Sequence, residues 1–172
     1  MLRITTLSTE SWWGVVGRVA LLLGCNEVAW NARGLAGVTA QRDLQLIFQL
    51  AHPDIAVLID TKLNETVLTK LSLKFSRYLS VSNIHLNGQW VRIWLLWDAD
   101  KMQVQTSKVH AHWISIEVKH LSSGRIFSVL GVYLNPDFRI RRFQYAELNE
   151  ELSSLCKPNV CLGDFNSVRE MS

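Results

Sequence analysis

Several predicted strands of this sequence are each followed by a polar side chain that core packing does not require. These side chains are Asn31, Asp60, Tyr133, and Asp164 with Asn166. The carboxyl ends of buried strands are where α/β sheets place their binding sites. Asn and Asp are also frequent in turns, so one such residue alone is weak evidence. Their recurrence after four strands favours a shared site.

The chain around the first two positions predicts a strand-helix-strand unit. Val28–Trp30 and Ile55–Ile59 are short apolar runs typical of buried strands. Between them, apolar residues at spacings of three and four predict a helix over Gln41–Ala51, which Pro53 ends. Because the connections are short, the two strands are expected to be parallel.

The middle of the chain predicts consecutive antiparallel strands. A short helix near Glu65–Leu73 precedes a series of apolar runs separated by polar turns, one of them Asn87-Gly88. The predicted strands are Tyr78–Ser82, Val91–Trp97, Val104–Val109, Trp113–Lys119 and Ile126–Tyr133. The combination of βα units with an antiparallel meander is typical of a mixed α/β fold.

A long helix and a last strand complete the pattern. Asp137 is predicted to cap a helix over Phe138–Leu155, and Val160–Leu162 is predicted to be the final strand. The helix is expected to pack through a stripe formed by Ile140, Phe143, Leu148, Leu152 and Leu155.

The motifs at these strand ends resemble those of the endonuclease/exonuclease/phosphatase superfamily. They are Trp30-Asn31-Ala32-Arg33-Gly34-Leu35, Pro53-Asp54-Ile55 with Asp60-Thr61-Lys62, Gly131-Val132-Tyr133 with Pro136, and Leu162-Gly163-Asp164-Phe165-Asn166. The resemblance covers about residues 27–168 and is greatest to the endonuclease domain of plant LINE-type (non-LTR) retrotransposons. It implies an α/β fold of the DNase I-like kind, a two-sheet sandwich flanked by helices.

The resemblance also implies a reaction, the Mg²⁺- or Mn²⁺-dependent hydrolysis of a phosphodiester in DNA. Asn31 would help to hold the metal and the phosphate, and Asp60 would be the principal metal ligand. Tyr133 would contact the phosphate, Asp164 would orient or deprotonate the attacking water, and Asn166 would position the phosphate. Such a hard cation prefers oxygen ligands and neutralises the charge that develops on the phosphoryl oxygens.

Basic residues near these motifs suit a phosphate partner. From Lys62 to Arg125 the chain has nine Lys and Arg against four Asp and Glu, and Arg139, Arg141 and Arg142 cluster near the start of the long helix. We expect Lys62 and the three clustered arginines to bind phosphate or nucleic acid. A solvated helix start is the alternative for the cluster. DNA is therefore the expected partner.

The sequence departs from the family in two places. Asp60 stands where the family has Glu, which retracts the carboxylate by about 1.5 Å although Mg²⁺ demands near-ideal geometry. The family's later motifs, including a Ser-Asp-His with a catalytic His, have no counterpart before Ser172. We therefore expect a partial domain over 27–172, incomplete at its C-terminal end, preceded by an extension over 1–26. An uncovered sheet edge would allow self-association, and activity would be weak or absent.

Three functions stay open at this point. The first is a DNA endonuclease of retrotransposon origin, the second a catalytically inactive remnant that still binds nucleic acid or protein. The third is a phosphatase for a small phosphoester. His110 and His112 share a strand face in this interpretation and are expected to be solvated rather than a metal pair. Cys156 and Cys161 are expected to be small buried hydrophobic residues.

Composition narrows the class of protein. The chain has 172 residues, of which 48% are hydrophobic, and a net charge of +3, which excludes an acidic or basic disordered tail. Three cysteines are too few for a disulfide framework, so a nuclear or cytoplasmic location is expected. The apolar stretch Trp12–Cys25 contains Arg18 and follows Glu10, which argues against a membrane span or a signal peptide.

Overall fold

The computed structural model describes residues 3–6, 25–83 and 90–167. The strands in these ranges are β1 (Arg3–Thr6), β2 (Glu27–Asn31), β3 (Ile55–Leu63), β4 (Tyr78–Ser82), β5 (Val91–Asp98), β6 (Met102–Val109), β7 (Trp113–His120), β8 (Ile126–Tyr133) and β9 (Asn159–Asp164). The helices are α1 (Val38–Ala51), α2 (Glu65–Lys74) and α3 (Phe138–Ser154). They form a five-stranded sheet in the order β1-β9-β8-β7-β6 and a four-stranded sheet in the order β2-β3-β5-β4.

The smaller sheet contains the predicted strand-helix-strand unit. β2 lies parallel to β3, with Glu27 paired to Ile55 and Asn31 to Ile59, and α1 connects the two strands. β5 then runs antiparallel to β3, and β4 runs antiparallel to β5 at the edge. The parallel pairing predicted from the short connections is therefore confirmed.

The larger sheet contains the predicted meander. β6, β7 and β8 are successively antiparallel, and β9 lies parallel to β8 so that Tyr133 is paired with Asp164. β1 lies parallel to β9, from Arg3 beside Val160 to Thr6 beside Gly163. Part of the 1–26 segment thus forms a strand of this sheet, while the division of the chain at residue 26 stays a prediction.

Apolar side chains fill three layers of this arrangement. Residues between the two sheets include Ile59, Ile93, Ile116 and Val129. The outer face of the smaller sheet packs on α1 and α2 through Leu44, Phe48, Leu71 and Trp94, and that of the larger sheet packs on α3 through Leu130, Leu148 and Cys161. Burial of these faces on both sides of each sheet is the main contribution to stability. The predicted sandwich of two sheets flanked by helices is confirmed.

The buried face of α3 differs from the predicted stripe. Ile140 and Phe143 are 47% and 61% exposed, whereas Arg141, Gln144 and Glu151 are buried beside Leu148. The polar residues can be buried because each has a partner outside the helix, such as Lys108 on β6, which forms an ion pair with Glu151. The apolar stripe was therefore a wrong prediction in its first two turns, although the predicted cap is confirmed: the side chain of Asp137 accepts from the Arg139 N–H.

Three smaller predictions also need correction. α1 begins at Val38, one turn earlier than expected, after Gly37 at its N-cap. His110 and His112 lie between β6 and β7 rather than on a strand, and Cys156 is exposed. The predicted Asn87-Gly88 turn lies outside the described residues. Among the residues that are described, no helix has the length and apolarity to cross a bilayer.

Candidate active site

The ends of β2, β3, β8 and β9 bring four predicted site residues to one edge of the sandwich. Asn31 belongs to the smaller sheet, yet its Nδ2 donates to Asp164 Oδ2 in the larger sheet over 2.9 Å. Burial raises the pKa of the Tyr133 phenol; the charge of Asp60, a side-chain hydrogen bond with Asp60 and the charge of Asp164 raise it further. The group Asn31, Asp60, Tyr133 and Asp164 is called the site edge below.

Asp60 lies in an irregular part of β3. Asp60 and Lys62 have φ angles of +50° and +49°, and the pairing with β5 is interrupted between Ile59 and Leu63. Left-handed backbone at non-glycine residues is costly and recurs at functional sites. The bulge is supported from outside, because the Asp60 carbonyl accepts from the Gly34 N–H over 2.9 Å. The backbone of Asp60 is therefore fixed in an irregular conformation, and its carboxyl acts on the Tyr133 phenol of the larger sheet.

The Asp60 carboxylate is incompletely paired. Its Oδ2 lies 3.3 Å from Lys62 Nζ, whereas Oδ1 is buried and has no hydrogen-bond partner in the described part of the chain. A buried carboxylate oxygen without a donor is unfavourable unless a cation or a ligand takes it. Asp60 is therefore the most suitable residue of the site edge to bind a metal ion.

The Asp164 carboxylate is held by amides on both oxygens. In addition to the contact from Asn31, Asp164 Oδ1 accepts from the Asn166 N–H over 2.8 Å, and Asn166 Nδ2 donates to the Leu134 carbonyl over 2.6 Å. The preceding residue, Gly163, has φ +152°, and a Cβ there would lie 1.9 Å from the Val132 carbonyl oxygen. Glycine is required for β9 to approach β8 so closely. The result is a fixed carboxylate that can accept a proton from water.

Sequence reasoning missed Arg92 at the beginning of β5. Its guanidinium carbon lies 5.9 Å from the centre of the Tyr133 ring, and its charge lowers the pKa of Tyr133, against the larger upward effects of burial and Asp60. The strand Val91–Trp97 was interpreted as an apolar core element. The signal in the sequence was the single charged residue of that run, Arg92 itself.

The predicted phosphate-binding residues occupy different surroundings. Lys62 lies beside the site edge, because it forms an ion pair with Asp60. Arg141 is only 9% exposed and donates from Nη1 to the Asn135 and Pro136 carbonyls, which commits it to the loop between β8 and α3. Arg139 forms an ion pair with Asp137, and Arg142 lies over the Phe143 ring. These last two are exposed on α3, and no contact within the described ranges joins them to the site edge.

His112 supports the loop that follows Tyr133. The His112 carbonyl accepts from the Tyr133 N–H over 2.9 Å, and His112 Nε2 lies 2.9 Å from Gln144 Nε2. Gln144 Oε1 accepts from the Asn135 N–H, so its amide nitrogen must donate to an unprotonated His112 Nε2. Burial lowers the pKa of His112, and the charge of His110 lowers it further, in agreement with a neutral ring. Neither histidine belongs to a metal-binding group among the described residues.

The donor set of the site edge fits a hard divalent cation. Asp60, Asp164 and Asn31 offer oxygen atoms, and Mg²⁺ and Mn²⁺ prefer oxygen over nitrogen or sulfur. The described residues contain no group of three acidic, histidine or cysteine side chains arranged for a metal. Mg²⁺ in phosphoryl-transfer sites commonly uses only one or two carboxylates, completed by water and substrate phosphate. The unpaired Asp60 Oδ1 is the observation that favours such a site.

Comparison with known proteins identifies the fold. No protein-family model matches the sequence, and no curated protein sequence matches it. The chain is similar to solved structures of D. rerio TDP2 complexed with single strand DNA product (16% identity, TM-score 0.68), of an endonuclease/exonuclease/phosphatase family protein from Bacteroides thetaiotaomicron (14%, 0.64) and of ANGEL2, a 2′,3′-cyclic phosphatase (18%, 0.59). The matches cover 83%, 85% and 74% of this chain.

These likenesses confirm the DNase I-like fold predicted from the motifs. The chain spans 61% of the TDP2 structure, 64% of the Bacteroides protein and 43% of ANGEL2. The structures that it resembles include members of the endonuclease/exonuclease/phosphatase superfamily, and the fold is one that carries phosphoester hydrolysis in ANGEL2.

Proposed function

We propose that this chain is a divalent-metal-dependent phosphodiester hydrolase of weak activity that acts on DNA. The observation that carries the proposal is the convergence of Asp60, Tyr133 and Asp164 from three strands, with Asp60 Oδ1 buried and unpaired. Perturbed titratable groups gathered at strand ends are typical of catalytic sites. The proposal includes the retrotransposon origin and plant source suggested by the motifs.

Asp60 and Asn31 are the residues that would hold Mg²⁺ or Mn²⁺. When bound, the cation would supply a Lewis acid for the phosphoryl oxygens. Because Asn31 Nδ2 donates to Asp164, a metal ion would bind this amide through Oδ1. The same oxygen accepts from the Arg33 N–H over 3.2 Å. Lys62, exposed beside Asp60, would contact a phosphate of the substrate.

Asp164 is the proposed general base. Its two oxygens are fixed by Asn31 and by the Asn166 backbone, so the carboxylate is oriented before substrate arrives. It would take the proton of a water whose oxygen attacks phosphorus while the bond to the leaving oxygen breaks. The proton then returns to the leaving oxygen through solvent, giving a phosphomonoester and an alcohol.

Tyr133 is the proposed donor to a phosphate oxygen. Its pKa is raised from the ordinary value of 10 by burial and by the Asp60 charge, so the phenol keeps its proton at neutral pH and can donate it in a hydrogen bond. The Asn166 side chain donates a hydrogen bond to the carbonyl of Leu134, the residue that follows Tyr133. It therefore helps to position the Tyr133 loop, in addition to any contact with phosphate.

DNA is proposed as the substrate on two grounds. The similar TDP2 structure holds a single-stranded DNA product. Arg139 and Arg142 are exposed on α3, and exposed arginines can contact the phosphate backbone of nucleic acids. A small phosphoester is the second candidate substrate, favoured by the likeness to ANGEL2, a 2′,3′-cyclic phosphatase.

Plasmid nicking in Mg²⁺ tests the proposal. The wild-type chain should convert supercoiled plasmid to the nicked form, EDTA should stop the reaction, and Asp164→Asn should lower the rate by about a hundredfold or more because the general base is lost. Asp100→Asn is the matched control, since the Asp100 side chain is 79% exposed at the other end of β5. Equal nicking by wild type and Asp164→Asn would identify a contaminant and favour the inactive remnant.

A further inference from the structure

We propose that Arg92 is a further phosphate-binding residue of this site, whose guanidinium takes the non-bridging oxygens of the phosphoester. The inference rests on the proposed function, since it names the group that receives the substrate anion. Arg92 lies outside the four strand-end motifs. The inference follows from the position of Arg92 opposite the Asp60 bulge and from the lack of a carboxylate partner for it among the described residues.

The backbone of Arg92 is fixed opposite the Asp60 bulge. Ile93 is paired with Ile59, and the next pair joins Val91 to Leu63, so Arg92 faces the irregular residues 60–62. Asn83, which is fully buried, accepts at Oδ1 from the Arg92 N–H over 3.1 Å and from the Ile93 N–H over 2.9 Å. Two hydrogen bonds to one buried acceptor hold this end of β5 in place.

The side chain of Arg92 is exposed and reaches the larger sheet. The guanidinium lies over the ring of Tyr133 at 5.9 Å, a distance at which a cation is attracted to an aromatic face. Its charge also lowers the pKa of His112, on the loop between β6 and β7. The charge of Arg92 therefore acts both on Tyr133 in the larger sheet and on the loop that contains His112.

The charge of Arg92 is available to a ligand. No carboxylate in the described ranges lies within ion-pair distance of it, whereas Lys62 pairs with Asp60, Arg77 with Asp98 and Arg139 with Asp137. A planar guanidinium offers parallel N–H donors that match two oxygens of a phosphate. The Arg92 guanidinium lies near the Tyr133 phenol and the Asp60 carboxylate proposed to bind the metal. The ligand that fits its unpaired N–H donors is an anion.

A purely structural role is the alternative. Arg92 could do no more than cover the Tyr133 ring, and its loss would then change stability without changing affinity for phosphate. Arg92→Lys separates the two roles, because lysine keeps the charge but loses the planar fork. Arg125→Gln is the control, since Arg125 is exposed in the turn before β8, at the opposite end of that strand from Tyr133.

The test measures hydrolysis of a short single-stranded DNA in Mg²⁺ and its inhibition by inorganic phosphate. Arg92→Gln should lower kcat/KM by about ten- to a hundredfold, and should weaken inhibition by phosphate by about tenfold, as expected for lost hydrogen bonds to a charged group. Arg92→Lys should fall between wild type and Arg92→Gln. Arg125→Gln should match wild type, and thermal unfolding of all variants should agree.

Unchanged phosphate inhibition in Arg92→Gln would overturn the inference. If the wild-type chain hydrolyses nothing, direct titration of inorganic phosphate replaces the inhibition measurement. Binding that Arg92→Gln abolishes would then support the anion site while the proposed function fails. A wild-type chain that neither hydrolyses DNA nor binds phosphate overturns both.

Discussion

Both ends of the sandwich contain buried or half-buried acidic side chains, but the partners of these side chains differ. At the end opposite the site edge, Asp54 pairs with Lys101 and Asp98 pairs with Arg77, whose Nη2 lies 2.7 Å from Asp98 Oδ2. This group, Asp54, Asp98, Arg77 and Lys101, is called the closed end. At the site edge, Asp164 accepts from two amides and Asp60 keeps one oxygen unpaired among the described residues.

The contrast separates a structural use of acidic residues from a functional one. Removing a carboxylate from water is unfavourable, and the ion pairs of the closed end offset that loss within the folded chain. Neutral amides at the site edge orient a carboxylate without cancelling its charge. Although Lys62 pairs with Asp60 Oδ2, the buried Asp60 Oδ1 has no donor among the described residues, and that oxygen is the one a metal ion would use.

Glu27 shows a third solution, at the amino end of β2. The residue is fully buried, Cys25 Sγ donates to its Oε1 over 2.9 Å, and its Oε2 has no hydrogen-bond partner among the described residues. Burial raises the pKa of Glu27 and also that of the Cys25 thiol. An unpaired carboxyl oxygen therefore occurs at each end, and at this one the carboxyl is favoured in its protonated form.

The largest expected effect is at Asp60. Asp60→Asn should lower kcat/KM for DNA in Mg²⁺ by about a thousandfold, equivalent to about 4 kcal/mol, because the anionic metal ligand is lost. The free energy of unfolding should stay the same or rise, because a buried charge with an unpaired oxygen is removed. Nicking rates and urea unfolding measure the two quantities. If Asp60→Asn unfolds more easily and keeps its activity, Asp60 has a structural role and the site edge is not the functional end.

Asp98→Asn should show the opposite behaviour. Asp98 is 1% exposed and accepts from Arg77 on both oxygens, at 2.7 Å and 3.2 Å, so its neutralisation should lower the free energy of unfolding by about 2 kcal/mol. Activity per folded molecule should not change. Urea unfolding of this variant, beside the exposed Asp100→Asn, measures the difference. Equal stability of the two variants would show that the closed end contributes no more than a surface ion pair.

Glu27→Gln should raise the free energy of unfolding at neutral pH, because burial disfavours the charged carboxylate and raises the pKa of Glu27. The folded pKa of Glu27 lies above 4.5, so the wild-type chain loses stability as the pH rises from 4.5 toward that pKa. Glutamine removes this loss and can still accept from the Cys25 thiol. Urea unfolding at several pH values should give a flatter curve for the variant. Parallel curves for variant and wild type would exclude Glu27 as the cause of the loss of stability with rising pH.

The smallest expected effect concerns His112. Its pKa is lowered by burial, so its contribution to stability is present above 6.5 and is lost as the pH falls through the folded pKa. His112→Asn should therefore reduce the loss of stability at acid pH, as measured by urea unfolding at several pH values. His120→Asn, at the last residue of β7, is the control. Charged groups outside its own loop also shift the pKa of His112: Glu147 on α3 raises it and Arg92 on β5 lowers it.

Much of the scaffold follows from local patterns. The spacing of three and four over Gln41–Ala51 and the apolar run Ile55–Ile59 predicted α1 and β3, because a helix or strand that must bury one or both faces carries that periodicity in its own residues. The strand-end residues Asp60, Tyr133 and Asp164 were predicted as site members for a similar reason. Turns and motifs such as Gly163-Asp164 are local, since the left-handed backbone they need depends on a single glycine.

Long-range packing decided the rest. Arg141 and Gln144 are buried on α3 because carbonyl, amide and imidazole partners from other segments surround them, and no periodicity of the helix contains that information. Arg92 faces the site because β3 bulges opposite it. Asn31 and Asp164 are 133 positions apart and bonded across the two sheets. The site residues of the motifs were therefore predictable from the chain, whereas their pairing, and the Asp60 oxygen left without a donor among the described residues, arose only when both sheets packed together.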